Sequence, residues 1–287
     1  MNNKLLALFG ASLISVSSFA DISITGAYEG TISNSTGAST YADDLDLTIK
    51  GRNGDTTVTA TLEDMSGGQA VTSTQVYIDT KLEGINFRGG NYKGQNGNGL
   101  LQKKSAASNK MKLSTDIAGV GLAVSQSSGD GNAKVDASFN IEGVSVNAQN
   151  VNNDTRFVSA SAKVGAVSVD VETQEASAGK TNTAYALGAD YNGIALTYVN
   201  VDIEDATGVT QDDGILGNIS DATAGKDLYG VVGSLATDMG KVTGRYVSKN
   251  DLDIYTAKLE RGIWSFSATD TEGEADLAYE AKMTVTF

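Results

Sequence analysis

The sequence predicts an all-β chain whose antiparallel strands close into a transmembrane barrel of 16–18 strands. Three observations carry that expectation. Apolar and polar residues alternate along most of the chain. The connections between the alternating segments sort into short and long ones. Beyond residue 20, no apolar stretch approaches the ~18 residues that a spanning helix needs.

The alternation is clearest at the C-terminal end. From Ala275 every second residue is apolar: Ala275, Leu277, Tyr279, Ala281, Met283, Val285 and Phe287. Asp276, Glu280, Lys282, Thr284 and Thr286 lie between them. A period of two held this long means one strand with an oily face and a wet face, of a length that suits a tilted membrane strand. The motif recurs upstream. Ile22, Ile24, Gly26, Tyr28 and Ile32 share one face, as do Leu45, Leu47 and Ile49, then Val58, Ala60 and Leu62. Further sets are Val120, Leu122 and Val124; Val158, Ala160, Ala162 and Val164; and Val167, Val169 and Val171. Because only alternate residues meet lipid, a chain with 40% hydrophobic residues and 33 glycines can still build such a barrel.

Short connections fall at residues 52–55, 83–84, 118–119, 142–143, 165–166, 192–193, 238–240 and 261–262, where Gly or Asn-Gly supplies the positive φ of a tight hairpin. Longer polar connections are expected near 33–43, 64–72, 93–109, 175–182 and 203–226. One end short and the other mostly long is the asymmetry of outer-membrane barrels. Segment counting gives about 18 strands, with 16 within its error, in one domain over 21–287.

Residues 1–20 read as an export signal. Lys4 is followed by an apolar run from Leu5 to Val16 and then Ser18-Phe19-Ala20, small at the −3 and −1 positions of a cleavage site. The chain has no Cys, His or Pro. That removes the thiol nucleophile, the commonest general base and a Ser-His-Asp triad, so no enzyme activity, metal or cofactor is expected. A net charge of −14 argues against nucleic acid as a partner.

The terminal Phe287, with apolar residues at 285, 283 and 281 and with Tyr279, resembles the end of the bacterial outer-membrane general porins, especially the shorter porins of α-proteobacteria. As architecture the resemblance covers the whole chain. It implies a homotrimer of 16-stranded barrels in the bacterial outer membrane, passing small hydrophilic solutes and ions. It implies that Tyr279, Met283, Val285 and Phe287 form the signal presented to the outer-membrane assembly machinery. It also implies a third extracellular loop folded into the lumen as a constriction, here at about Lys93 to Asn109. This segment lacks the Pro- and acid-containing stretch common in enterobacterial porins.

Between Phe87 and Ser114 there is no Asp or Glu, but there are Arg88, Lys93, Lys103, Lys104, Lys110 and Lys112. Parity also turns Lys50, Arg52 and Lys81 inward. Concentrated at a narrow point, such charge favours anions; the other reading is a solvated loop face. Glu29, Asp44, Asp46, Glu63 and Asp79 also point inward by parity. They either oppose the bases across the pore or are ordinary lumen carboxylates. The acids of 203–226 (Glu204, Asp205, Asp212, Asp213 and Asp221) do not match a calcium loop, and Gly94–Gly99 lacks the Lys-Ser/Thr of a phosphate loop. Tyr28, Tyr191, Tyr198, Tyr255, Trp264, Phe266, Tyr279 and Phe287 fit interfacial girdles. The competing function is an exported structural or adhesive β-rich surface protein.

Overall fold

The computed structural model describes residues 21–34, 39–63, 73–94, 97–101, 107–129, 131–153, 155–177, 179–205, 215–217, 223–226 and 228–287. Among them there is no helix, and eighteen strands follow in order. They are β1 (Asp21–Asn34), β2 (Ser39–Asn53), β3 (Thr56–Glu63), β4 (Ser73–Leu82), β5 (Ile85–Tyr92), β6 (Ser108–Ile117), β7 (Val120–Ser127), β8 (Lys134–Ile141) and β9 (Val144–Gln149). The second half comprises β10 (Arg156–Val164), β11 (Val167–Ser177), β12 (Lys180–Tyr191), β13 (Ile194–Asp202), β14 (Leu228–Thr237), β15 (Gly240–Lys249), β16 (Leu252–Arg261), β17 (Trp264–Thr271) and β18 (Ala278–Thr286).

Each strand pairs antiparallel with the next, and β18 pairs with β1, so the sheet closes and has no edge. Closure satisfies every strand's backbone groups without water, as the hydrocarbon core demands. It also excludes a solenoid. The barrel is wider than side chains can fill, which leaves an aqueous lumen. The 16 strands implied by the family resemblance are not what this chain builds.

Burial is inverted relative to a water-soluble sheet. On β11, Val167 is 49% exposed while Glu172 and Gln174 are fully buried. The alternation places Ile22, Ile24, Val158, Leu187, Leu196 and Phe266 outward, as their sequence pattern predicts. The seam is tight. The backbone N–H of Gly26 donates to Phe287 O at 2.8 Å, and that of Phe287 donates to Gly26 O at 3.0 Å. A methyl group on Gly26 would meet the Phe287 ring at 2.6 Å, so the glycine provides the seat for the terminal aromatic.

The short turns fall where expected. Glu83-Gly84, Ala118-Gly119, Glu142-Gly143 and Asn192-Gly193 all have positive φ at both positions, the geometry whose twist suits two-residue hairpins. Other expectations need correction. The connection expected over 175–182 is a tight turn, because β11 and β12 run on to pair Ser177 with Lys180. A two-residue turn, Asn250-Asp251, also joins β15 to β16. The last strand begins at Ala278, not Ala275, since 275–277 belong to the preceding connection.

Outward aromatics are unevenly distributed. Of the eleven tyrosines, Tyr77 and Tyr92 share the inward register of β4 and β5. The others (Tyr28, Tyr41, Tyr185, Tyr191, Tyr198, Tyr229, Tyr246, Tyr255 and Tyr279) face outward on β12–β18, β1 and β2. Strands β3–β11 carry no outward tyrosine.

Candidate functional site

The site is the interior. The segment 97–101, between β5 and β6, reaches side chains of β9 and of β11–β15. The Gly97 N–H donates to Gln149 Oε1 on β9 at 2.5 Å. Glu172 Oε2 on β11 accepts from the Leu100 N–H at 2.7 Å and the Leu101 N–H at 3.3 Å. A carboxylate receiving two backbone donors in a dry place is a strong fastening. Gly97, with φ +65°, lies so close to this carboxylate that a Cβ has no room.

Leu101 is fully buried in a cluster with Ala184, Ala186, Val199, Val201, Leu228 and Val247. All six strand residues point inward, and Leu216 from the β13–β14 connection joins them. An apolar inner wall is therefore sealed by two connections. The sequence carried a signal for it. Apolar residues occupy both parities in Ala184–Leu187 and at Tyr198, Val199, Val201 and Ile203, as in a strand covered on both faces.

The opposite arc is polar. Arg88 and Asp79, paired across β4 and β5, form a two-pronged ion pair with Nε–Oδ1 at 2.6 Å and Nη2–Oδ2 at 3.0 Å. The Arg88 guanidinium lies 4.9 Å from the centre of the Tyr77 ring and 5.5 Å from that of Tyr92; Lys110 Nζ lies 5.5 Å from the Tyr92 ring. Lys93 binds Glu63, and Gln75 bridges the two by donating to Glu63 Oε1 at 2.9 Å and accepting the Lys93 N–H at 2.9 Å. Lys112 is 3.9 Å from Asp136, and Lys282 is 2.6 Å from Glu29.

These contacts revise two expectations about site residues. The acids do not oppose the bases across the pore. Glu29, Asp44, Asp46, Glu63 and Asp79 lie on β1–β4, on the same side of the barrel as Arg88, Lys93, Lys110 and Lys112 on or beside the adjoining β5 and β6. Adjacent inward positions pair locally because Coulomb attraction rewards contact over a distance across water. Lys50, Arg52 and Lys81 are also displaced from a constriction. They flank the short turns, where the Arg52 Nε donates to Gly54 O at 3.1 Å. Segment 97–101 instead contacts the end of β9 and the part of β11 away from its short turn. Parity sets the face of a side chain but not its height. Lys103 and Lys104 lie outside the described residues, as do Asp212, Asp213 and Asp221. Glu204 accepts the Thr181 N–H at 2.7 Å, and the Asp205 N–H donates to Asn182 Oδ1 at 3.0 Å.

Tyr279, Met283 and Val285 stand outward on β18, and Phe287 continues that face at the seam.

No family model and no curated protein matches this sequence. Solved structures do. OccK2 (OpdF) of Pseudomonas aeruginosa superimposes with a TM-score of 0.63 at 12% identity, over 94% of this chain and 98% of that one. OccAB3 of Acinetobacter baumannii gives 0.56 at 9%, over 93% and 100%. A mutant of the Rh. blastica porin gives 0.55 at 14%, over 93% and 100%. The chain therefore has the fold of these barrels over nearly its whole length.

Proposed function

We propose that this chain is an outer-membrane porin, a water-filled channel for passive diffusion of small hydrophilic solutes and ions, with no catalytic turnover. The observation that carries this is the closed 18-stranded barrel with an apolar outer face and a charged inner arc, narrowed by a connection fastened across the lumen at Glu172 and Leu101. An adhesive protein has no use for a wet interior lined by ion pairs. The fold shared with bacterial outer-membrane channels supports location in that membrane. The likeness to the Rh. blastica porin is compatible with the α-proteobacterial type.

Residues 1–20 act as the export signal and are removed. The outward face of β18, ending in Phe287, is what the assembly machinery reads. The arc β3–β11 supports a trimer contact, since tyrosine belts belong at lipid headgroups and this arc has none. Ion preference is a mild one for anions: the 87–114 window holds only bases, but Arg88, Lys93 and Lys112 each share charge with a carboxylate.

Planar-bilayer recording of the detergent-purified protein tests this reading. Stepwise insertions of stable ohmic conductance are expected. Folded, heat-modifiable protein that never conducts, or a chain that stays soluble in plain buffer, overturns it.

A further inference from the structure

The inner wall has a recess that the ion-pair picture leaves unused. Cross-strand register aligns Asn86, Ser114, Ala123 and Asp136 in one row over β5–β8, and Asp116, Gly121, Ser138 and Asn147 in the next over β6–β9. Successive members of a row, on neighbouring strands, sit about 4.8 Å apart, so each row presents a polar group at nearly every step around the barrel. The two interruptions are the smallest side chains available, Gly121 and Ala123, both on β7. They lower the wall between their polar neighbours and open a concavity of about 310 Å³. That volume is at the small end of ligand-binding pockets.

We infer that this recess is a binding site for a neutral polyhydroxylated solute of monosaccharide size. The inference rests on the channel reading and deepens it by naming a solute class.

The groups present decide between classes. Lys112 and Asp136 line the recess together at 3.9 Å, so their charges largely cancel while still offering a donor and an acceptor to neighbouring hydroxyls. Asp116 accepts the Gly119 N–H at 3.0 Å and Asp136 accepts the Asn150 N–H at 3.1 Å, and among the described residues no group of three acids gathers to hold an inorganic cation, which collects about six or more oxygen ligands. Two carboxylates against one ammonium disfavour an anion. What remains is a patch of amides and hydroxyls (Asn86, Ser114, Ser138 and Asn147) that both donate and accept, the requirement of a solute carrying many hydroxyls. Gln149, on the rim, holds the Gly97 N–H of the crossing segment, so the recess lies beside the narrowing and a passing solute meets it. Binding must be weak enough for release, with half-saturation at about 1–100 mM.

The test adds D-glucose stepwise at fixed KCl to purified channels in a planar bilayer. The wild-type current is expected to fall with a saturating component beyond the linear viscosity effect. Ala123→Leu fills the recess, and Ser138→Ala with Asn147→Ala strips it without adding bulk; both remove the saturating component. Thr197→Leu, inward on β13 across the lumen, keeps it. A conducting wild type with only the linear effect overturns the inference and leaves the channel reading standing. So does saturation by glycine or acetate but not glucose, or saturation that survives both recess variants. Absence of conductance overturns the channel reading itself.

Discussion

Two arcs of the inner wall solve the same problem in opposite ways. On β1–β6 many inward residues are charged and partly exposed, and bases pair with acids of neighbouring strands: Arg88 with Asp79, and Lys93, just beyond β5, with Glu63. On β12–β15 the inward residues include Ala184, Ala186, Val199, Val201, Leu228 and Val247, and two connections cover this apolar patch. A lumen-facing residue need not be polar, because a connection can fold onto it and recreate a small water-excluding core inside a channel. In the channel proposed above, the apolar arc holds segment 97–101 in place and the charged arc is left as the wall open to solutes.

The largest effect should come from forcing the apolar arc to behave like the charged one. Leu101→Asp places an unpaired charge in a fully buried position at a cost of several kcal/mol, enough to free the segment. Single-channel conductance should rise by roughly twofold as the constriction widens. An unchanged conductance would mean that segment 97–101 does not limit the pore.

Next comes the packing itself. Val247→Ala should destabilise the barrel by about 1–3 kcal/mol, while Val231→Ala on the lipid face of the neighbouring strand should cost about 1 kcal/mol or less, because lipid fills the gap. Urea unfolding from vesicles, followed by the single tryptophan, Trp264, measures both.

The charged arc should respond through its pairs. Asp79→Asn uncovers Arg88 and should shift the permeability ratio toward anions by about twofold. Arg88→Gln should shift it toward cations, and the double variant should return near the wild-type value. Reversal potentials under a KCl gradient read all three, and a double variant that keeps the shift of either single variant would argue against the pair. The smallest effect belongs to the rim. Lys50→Ala with Arg52→Ala should change the ratio by under about 20% at 0.15 M salt, where charges are screened beyond ~8 Å, and more at low salt.

The outer face was readable from sequence almost residue by residue, because lipid enforces a strict period of two on β1, β11 and β18. The interior was readable only in part. Parity turns Arg88, Lys110 and Lys112 inward, as the register has them, yet it carries no information on height, so it does not reveal that Lys50, Arg52 and Lys81 flank the short turns, away from segment 97–101. Nor could it pair strands across the ladder. The partnership of Arg88 with Asp79 follows from register, which depends on where each turn falls. Glu172 gave no local sign of its role, since a carboxylate that fastens a backbone seventy residues away looks in sequence like any lumen acid. The apolar arc did leave a trace in the broken alternation around Val199 and Val201.

In the proposed channel, segment 97–101 stands within the conducting lumen. The chain has no cysteine, so one placed at Asn98 is the sole thiol. The decisive measurement is bilayer current through Asn98→Cys channels before and after a bulky, charged, water-soluble thiol reagent, with Ile24→Cys on the lipid face as control. A prompt drop in current is expected for Asn98→Cys and none for Ile24→Cys. Full labelling of Asn98→Cys with no change in current would contradict that placement.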